Sequence, residues 1–286
     1  SMVEELGLHF DYESYDPRRD KRRKGKYAKA VFEHRQRKGM TLVDAARLLK
    51  SRPYFASQMV KSGHADGFVG GVSRNYGDVL RPTIELIGAA DDAHCIIGCY
   101  MMNVKGRTIL LADATVNVYP DSRTLAEIAV QTAKVARRFG VDPKVAMLSF
   151  SNFGSSRAQR SERIEDAIHI ARELDPSLIV DGPMQGDTAL NGAVQGEYEF
   201  MAFEGPANVL VLPNLAAANI AYKLLEELGD AEMTGPILEG MRKPVQLVAR
   251  QDGVRHIVNM AAICAADSIR QDSYWESLIT PYVEEE

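Results

Sequence analysis

The chain has 286 residues, 45% of them apolar and 26% charged, with a formal net charge of -5. That length admits one large α/β domain or two smaller lobes around a shared cleft, and the composition is that of an average globular protein, so disorder is not the default. The acidic balance argues against a dedicated nucleic-acid binder, and no apolar run is long enough to span a bilayer.

In chain order, Ser1-Met2 reads as an expression remnant and no signal peptide is recognisable, so a cytoplasmic protein is expected. Residues 18–38 carry eleven Lys/Arg against Asp20 and Glu33. Two readings fit that run: a solvated helix face, or a patch for phosphates or an acidic subunit. Short apolar runs follow at 65–72, 96–104, 108–113, 144–150, 178–182 and 208–212, several ending in Gly, Asp, Asn or Ser. Runs of this kind suit strands buried on both faces in a sheet with a large parallel component.

Between them lie amphipathic stretches of helical length at 124–139, 160–174 and 216–228. The first places Leu125, Ile128, Ala129, Thr132, Val135 and Ala136 on one face, with Gly140 as its C-terminal stop. The alternation predicts an α/β fold with helices on both sheet faces. Cys95, Cys99 and Cys264 sit in apolar surroundings at a spacing that fits no common zinc framework, which predicts buried reduced thiols. The chain ends in Glu284, Glu285 and Glu286.

In open parallel sheets ligands sit beyond the carboxyl ends of strands, and four polar loops occupy such places. After 108–113 come Asp113, Thr115 and Asn117, which suit either a ligand or ordinary loop capping. Residues 147–167 hold Ser149, Ser151, Asn152, Gly154, Ser155 and Ser156, a donor-rich loop leading into a helix, where an anion can dock. It lacks the P-loop spacing. Residues 67–88 offer Arg74 and Arg81, as phosphate clamps or as surface salt bridges. Residues 247–258, LVARQDGVRHIV, pack Arg250, Asp252, Arg255 and His256 between two apolar runs; Asp252 is a base or a turn residue, and His256 titrates near ~6.5 if unperturbed.

Together these blocks resemble the phosphate acetyl/butyryltransferase family. The resemblance is carried by HADGFVGGVSRNYGDVLRPTIELIG, LLADATVNVYPDSRTLAEIAVQTA, VAMLSFSNFGSS, DGPMQGDTAL, PNLAAANIAYKLLEELGDAEMTGPIL and KPVQLVARQDGVRHIVNMAAICA, from about Tyr54 to Cys264. The run SNFGSS, the early DPRRDKR and VRHIVNM are most similar to one branch, the acyltransferase-like C-terminal domain of bacterial NADP-dependent malic enzymes. The fold this implies is α/β and two-lobed: a three-layer αβα architecture like the isocitrate/isopropylmalate dehydrogenase class, mostly parallel, with a cleft between lobes. Residues 1–141 plus 243–286 would form the first lobe and 142–242 the second, in a homodimer or higher oligomer.

The family's active members use a serine-arginine pair and, on the next helix, an aspartate that serves as base for the CoA thiol. The arginine falls on Arg250, but the serine position holds Ala249 and the aspartate position His256. Acyl transfer needs a base and donors for the developing oxyanion, so Ala249 removes a group the chemistry would use. The resemblance therefore implies an acetyl-CoA or phosphate site at Arg81, Asn117, Ser151, Asn152, Gly154, Ser155, Asn214 and Arg250, without metal. The leading expectation is a regulatory domain that binds acetyl-CoA as effector and acts on a malic enzyme catalytic domain; that domain would carry NADP and the divalent metal. The alternative is an active phosphate acetyltransferase with His256 as catalytic base. A third reading is an oligomerisation module.

Overall fold

A computed structural model describes residue 7 and residues 9–155 and 159–279. The segment at 18–38 forms helix α1 (Lys21–Arg35), capped by the Asp20 side chain, followed by a short 3-10 turn at Gln36–Lys38. Helix α2 (Leu42–Leu48) starts in a capping box, where Thr41 and Asp44 each satisfy the other's backbone N–H. Helix α3 (Arg52–Lys61), strand β1 (Phe68–Gly70) and helix α4 (Tyr76–Leu86) complete the N-terminal part.

The central part runs β2 (Ile97–Val104), β3 (Arg107–Ala112), α5 (Ser122–Arg138), β4 (Lys144–Leu148), α6 (Gln159–Leu174) and β5 (Ile179–Met184). Two short helices follow, α7 (Gly186–Leu190) and α8 (Gly192–Gln195), then β6 (Val209–Val211) and α9 (Leu215–Gly229). The chain closes with β7 (Glu232–Glu239), β8 (Val245–Leu247) and α10 (Val254–Ile279).

Six strands form one sheet in the order β5-β4-β6-β3-β2-β7, and β1 pairs with β8 in a separate parallel ribbon. Pairings among β5, β4, β6 and β3 are parallel, while β2 is antiparallel to both β3 and β7. The β2–β3 turn uses Lys105 and Gly106, both at positive φ, which matches the twist of a two-residue hairpin. The sheet is mostly parallel, as its apolar runs predict. Strands β2 and β3 precede residue 141, and β4 to β7 follow it.

Period-2 alternation sorts the strand side chains onto two cores. Leu110, Ala112, Val145, Met147, Val209 and Val211 face α5 and α6. Ile109, Leu111, Ala146 and Leu210 face the other way, with Ala218 and Tyr222 of α9. The predicted face of α5 is buried, and burial extends to Ala126, Glu127, Val130, Gln131 and Ala133, so the helix is enclosed on nearly all sides. Asp121 caps its start by accepting from the Thr124 N–H at 2.8 Å, and Gly140 ends it at φ 74.

The ribbon places the end of the chain beside α4. Val248 N donates to Gly70 O at 3.0 Å, and a Cβ on Gly71 would stand 1.9 Å from Val248 O. Only glycine allows that approach. The polar loops after β1 and after β8 therefore open side by side.

Candidate functional site

Those two loops, the loop after β3 and helix α9 enclose a cavity of about 500 Å³. Tyr76 enters it from the first turn of α4, Thr115 from the loop after β3, Tyr100 from β2 and Tyr222 from α9. Ala249, Gln251, Asp252 and His256 close the remaining side. Tyr100 and Tyr222 stack at 4.2 Å between centroids, which makes a flat apolar wall.

Asp252 and His256 stand one helical turn apart across the start of α10. Asp252 Oδ2 accepts from the Ala249 N–H at 2.6 Å and lies 3.3 Å from His256 Nε2. The imidazole contact is close enough for an ion pair but not aligned as a hydrogen bond. Both side chains are 17% exposed. The carboxylate faces the imidazole edge at that distance. Sequence reasoning named both residues without joining them, although their i, i+4 spacing was visible.

Asp113 is spent on the fold. It is 3% exposed and accepts from the N–H groups of Gly98, Thr115, Val116 and Asn117. Burial still lifts its carboxyl above the ordinary aspartate range, against those hydrogen bonds. Asn117 belongs to the same internal network: its side-chain amide donates to Asp113 Oδ2 at 2.6 Å and to Ile96 O at 2.9 Å. The pair fixes the backbone that presents Thr115.

The serine-rich loop is stitched to α7 and to Tyr198. Asn152 accepts from Gln185 N at 2.7 Å and donates to Gln185 Oε1 at 3.1 Å and Tyr198 OH at 3.2 Å. Gly154 turns the loop at φ 78, Ser151 is buried, and Ser155 is exposed with its N–H on Asn152 O. Ser156 lies outside the described residues. Asn214 caps α9 by accepting from Ala217 N at 2.9 Å, and it lines a second cavity of about 330 Å³ with Ser149 and Arg163.

The two arginines do not converge on the first cavity. Arg81 projects from α4 with its side chain 77% exposed, paired to Glu85 at 3.1 Å. Arg250 is exposed in the turn after β8. A third cavity of about 540 Å³ opens between α5, β7 and α10 around Arg138, Glu239 and Asp267, and it holds none of the residues singled out from sequence. Among the described residues no group of His, Cys, Asp and Glu could hold a metal ion, and no helix is long and apolar enough to cross a membrane.

Comparison with known proteins gives concordant matches. The family profile described as "Phosphate acetyl/butaryl transferase" matches residues 3–265. A phosphate acetyltransferase of Corynebacterium glutamicum is 37% identical over 91% of this chain and 80% of that protein. An NADP-dependent malic enzyme of Rhizobium meliloti is 40% identical over 85% of this chain, which spans only 32% of that protein. Among solved structures, a phosphotransacetylase from Streptococcus pyogenes superposes with a TM-score of 0.88 at 36% identity, covering 94% of this chain and 82% of its own.

Proposed function

From the premise that this chain belongs to the phosphate acetyl/butyryltransferase family, we propose that the Tyr76–Thr115–His256 cavity binds an acyl-CoA and exchanges its acyl group with phosphate. The observation that carries the reading is the His256–Asp252 pair inside that cavity. With Nε2 turned toward Asp252, Nδ1 is the nitrogen left to take the CoA thiol proton. The sulfur then attacks the carbonyl carbon of the acyl phosphate, the bond from that carbon to the bridging oxygen breaks, and phosphate leaves. The reverse sequence makes acyl phosphate. No metal or further cofactor enters these steps.

This reading ranked second on sequence alone. It stands first here because the carboxylate beside His256 supplies what a substituted base needs. The four-fifths coverage of a stand-alone transferase supports it as well. Thioester formation from acetyl phosphate and CoA is the test. Turnover that falls about 10²- to 10⁴-fold in His256→Ala, with the chain still folded, supports it. A wild-type chain without turnover overturns it.

A regulatory reading retains one specific support. The malic enzyme relative is matched at 40% identity by about a third of its length, and Ala249 stands where active members carry serine. On this reading the same cavity binds acetyl-CoA as an effector, while NADP and a divalent metal act in a separate catalytic domain. A two-lobed arrangement with a cleft, of the isocitrate dehydrogenase kind, and a homo-oligomer belong to both readings. Calorimetric binding of acetyl-CoA without any transferase turnover would favour the regulatory one.

A further inference from the structure

Exchange of an acyl group with phosphate requires a phosphate dianion beside the acyl carbon, and such an anion needs positive charge and hydrogen-bond donors. Arg81 and Arg250 do not supply them, because neither lines the His256 cavity. Among the described residues that line it, Lys223 is the one side chain with a fixed positive charge.

Helix α9 presents Leu215, Asn219, Tyr222, Lys223 and Glu226 to the cavity, positions three and four apart that share one helix face. Asn219 is half-buried, and its amide makes no hydrogen bond to the described residues, yet its atoms are not sealed from solvent. Lys223, one turn on, is exposed and has no carboxylate of the described residues within ion-pair distance. Its ammonium stands 5.0 Å from the centroid of the Tyr222 ring. Tyr222 is buried and stacked on Tyr100, so the ring beneath the ammonium is fixed and holds it in place. Glu226 lies beyond Lys223 as seen from Asn219, so an anion on the Asn219 side avoids that carboxylate. An unpaired ammonium and an unpaired amide one turn apart supply the charge and the second donor that a phosphate takes.

We propose that Asn219 and Lys223 bind the phosphate with which the acyl group is exchanged, the Asn219 amide donating to one phosphate oxygen and the Lys223 ammonium to another. The proposal rests on the acyl-CoA reading of the cavity. As the bond from the carbonyl carbon to the bridging oxygen breaks, charge grows on the departing phosphate, and the ammonium holds it there. The phosphates of CoA share this chemistry, so the test separates the two sources.

The test is a phosphorus NMR titration of the full chain with inorganic phosphate. A calorimetric second arm uses acetyl-CoA and acetyl-pantetheine, which carries no phosphate. Lys223→Met should weaken inorganic phosphate binding roughly 10- to 100-fold and Asn219→Ala roughly 3- to 10-fold, while acetyl-CoA affinity changes less than about 2-fold. Lys223→Arg should keep most of the affinity. In turnover the loss should fall on KM for phosphate and not on KM for acetyl-CoA. Thermal unfolding confirms that each variant is folded. Unchanged phosphate affinity in folded Lys223→Met overturns the proposal while leaving the acyl-CoA reading in place. A loss seen with acetyl-CoA, and absent with acetyl-pantetheine and inorganic phosphate, assigns the pair to the phosphates of CoA and overturns the proposal too. Phosphate binding that depends on Lys223, in a chain that binds no acetyl-CoA, upholds the phosphate site and removes the acyl-CoA reading. Failure of phosphate and acetyl-CoA alike to bind the wild-type chain overturns both.

Discussion

His256 and Asp252 are one turn apart, and the consequences of separating them differ from those of deleting either residue. Asp252→Asn keeps the acceptor for the Ala249 N–H but removes the charge facing the imidazole. Turnover should fall roughly 10²-fold or more while acetyl-CoA affinity changes little, since the carboxylate acts on the base rather than on the bound ligand. Equal losses in both would place Asp252 in ligand binding instead. The three cysteines make a second residue-level case. Burial pushes the Cys95 and Cys99 thiols up to about 12 and Cys264 to about 11, so thiolate is scarce at pH 8. A thiol reagent should leave all three nearly untouched in the native chain and titrate all three in denaturant. The thiols were legible in the sequence because their neighbours are apolar. Tyr76 was not, because whether a phenol is exposed or buried depends on the packing of α4 against the end of the chain.

The ends of α5, β7 and α10 are joined through Arg138, which donates to Asp267 Oδ1 at 2.9 Å and to Glu239 Oε2 at 2.5 Å. Burial lifts both carboxyls above their ordinary range, against the pull of Arg138, which is joined by Lys134 at Glu239 and by Arg270 at Asp267. Their folded values are raised, so each contributes stability that is complete below the unfolded value and is lost as pH rises through the folded one. Arg138→Met removes the cation shared by both carboxyls and raises those values further. Its deficit should be about 3 kcal/mol near pH 7 and shrink toward ~pH 3, where the carboxyls are largely protonated in both states. Urea unfolding across that range measures it, and a deficit independent of pH would mean that Arg138 acts through packing alone. Nothing in the local pattern of α5 announces this tie, because Arg138 reads as an ordinary cation in a C-terminal turn. Strands β7 and β8 were missed for related reasons. β7 carries Gly235-Pro236 inside it, a pair that reads as a breaker, yet β7 is an edge strand whose register slips opposite that point, where a missing N–H is tolerated. β8 has three residues, too few for any periodicity. The strands buried on both faces, β3, β4 and β6, were legible because each lies in a continuous apolar run bounded by polar or turn residues.

Two sheets meet at the cavity: the β1–β8 ribbon brings Tyr76, Asp252 and His256, and the six-stranded sheet with its covering helix brings Tyr100, Thr115 and Tyr222. A ligand held by both halves couples their opening, because separating them requires its release. Bound at one hundred times its dissociation constant, acetyl-CoA should add about 2.7 kcal/mol to the unfolding free energy, which for a chain of this size is a rise of roughly 5 to 10 °C in Tm. The coupling has a sharper signature in hydrogen exchange. Protection should rise together in the first turn of α4, the loop after β3 and the start of α10, although these segments are distant in sequence. Protection confined to the serine-rich loop and the start of α9 would instead place the ligand in the smaller cavity around Arg163 and Asn214. Either transferase or effector use of acetyl-CoA requires the joint pattern. Only an effector further requires that the joined state be the one a partner domain distinguishes, since a ligand with equal affinity for two states shifts neither.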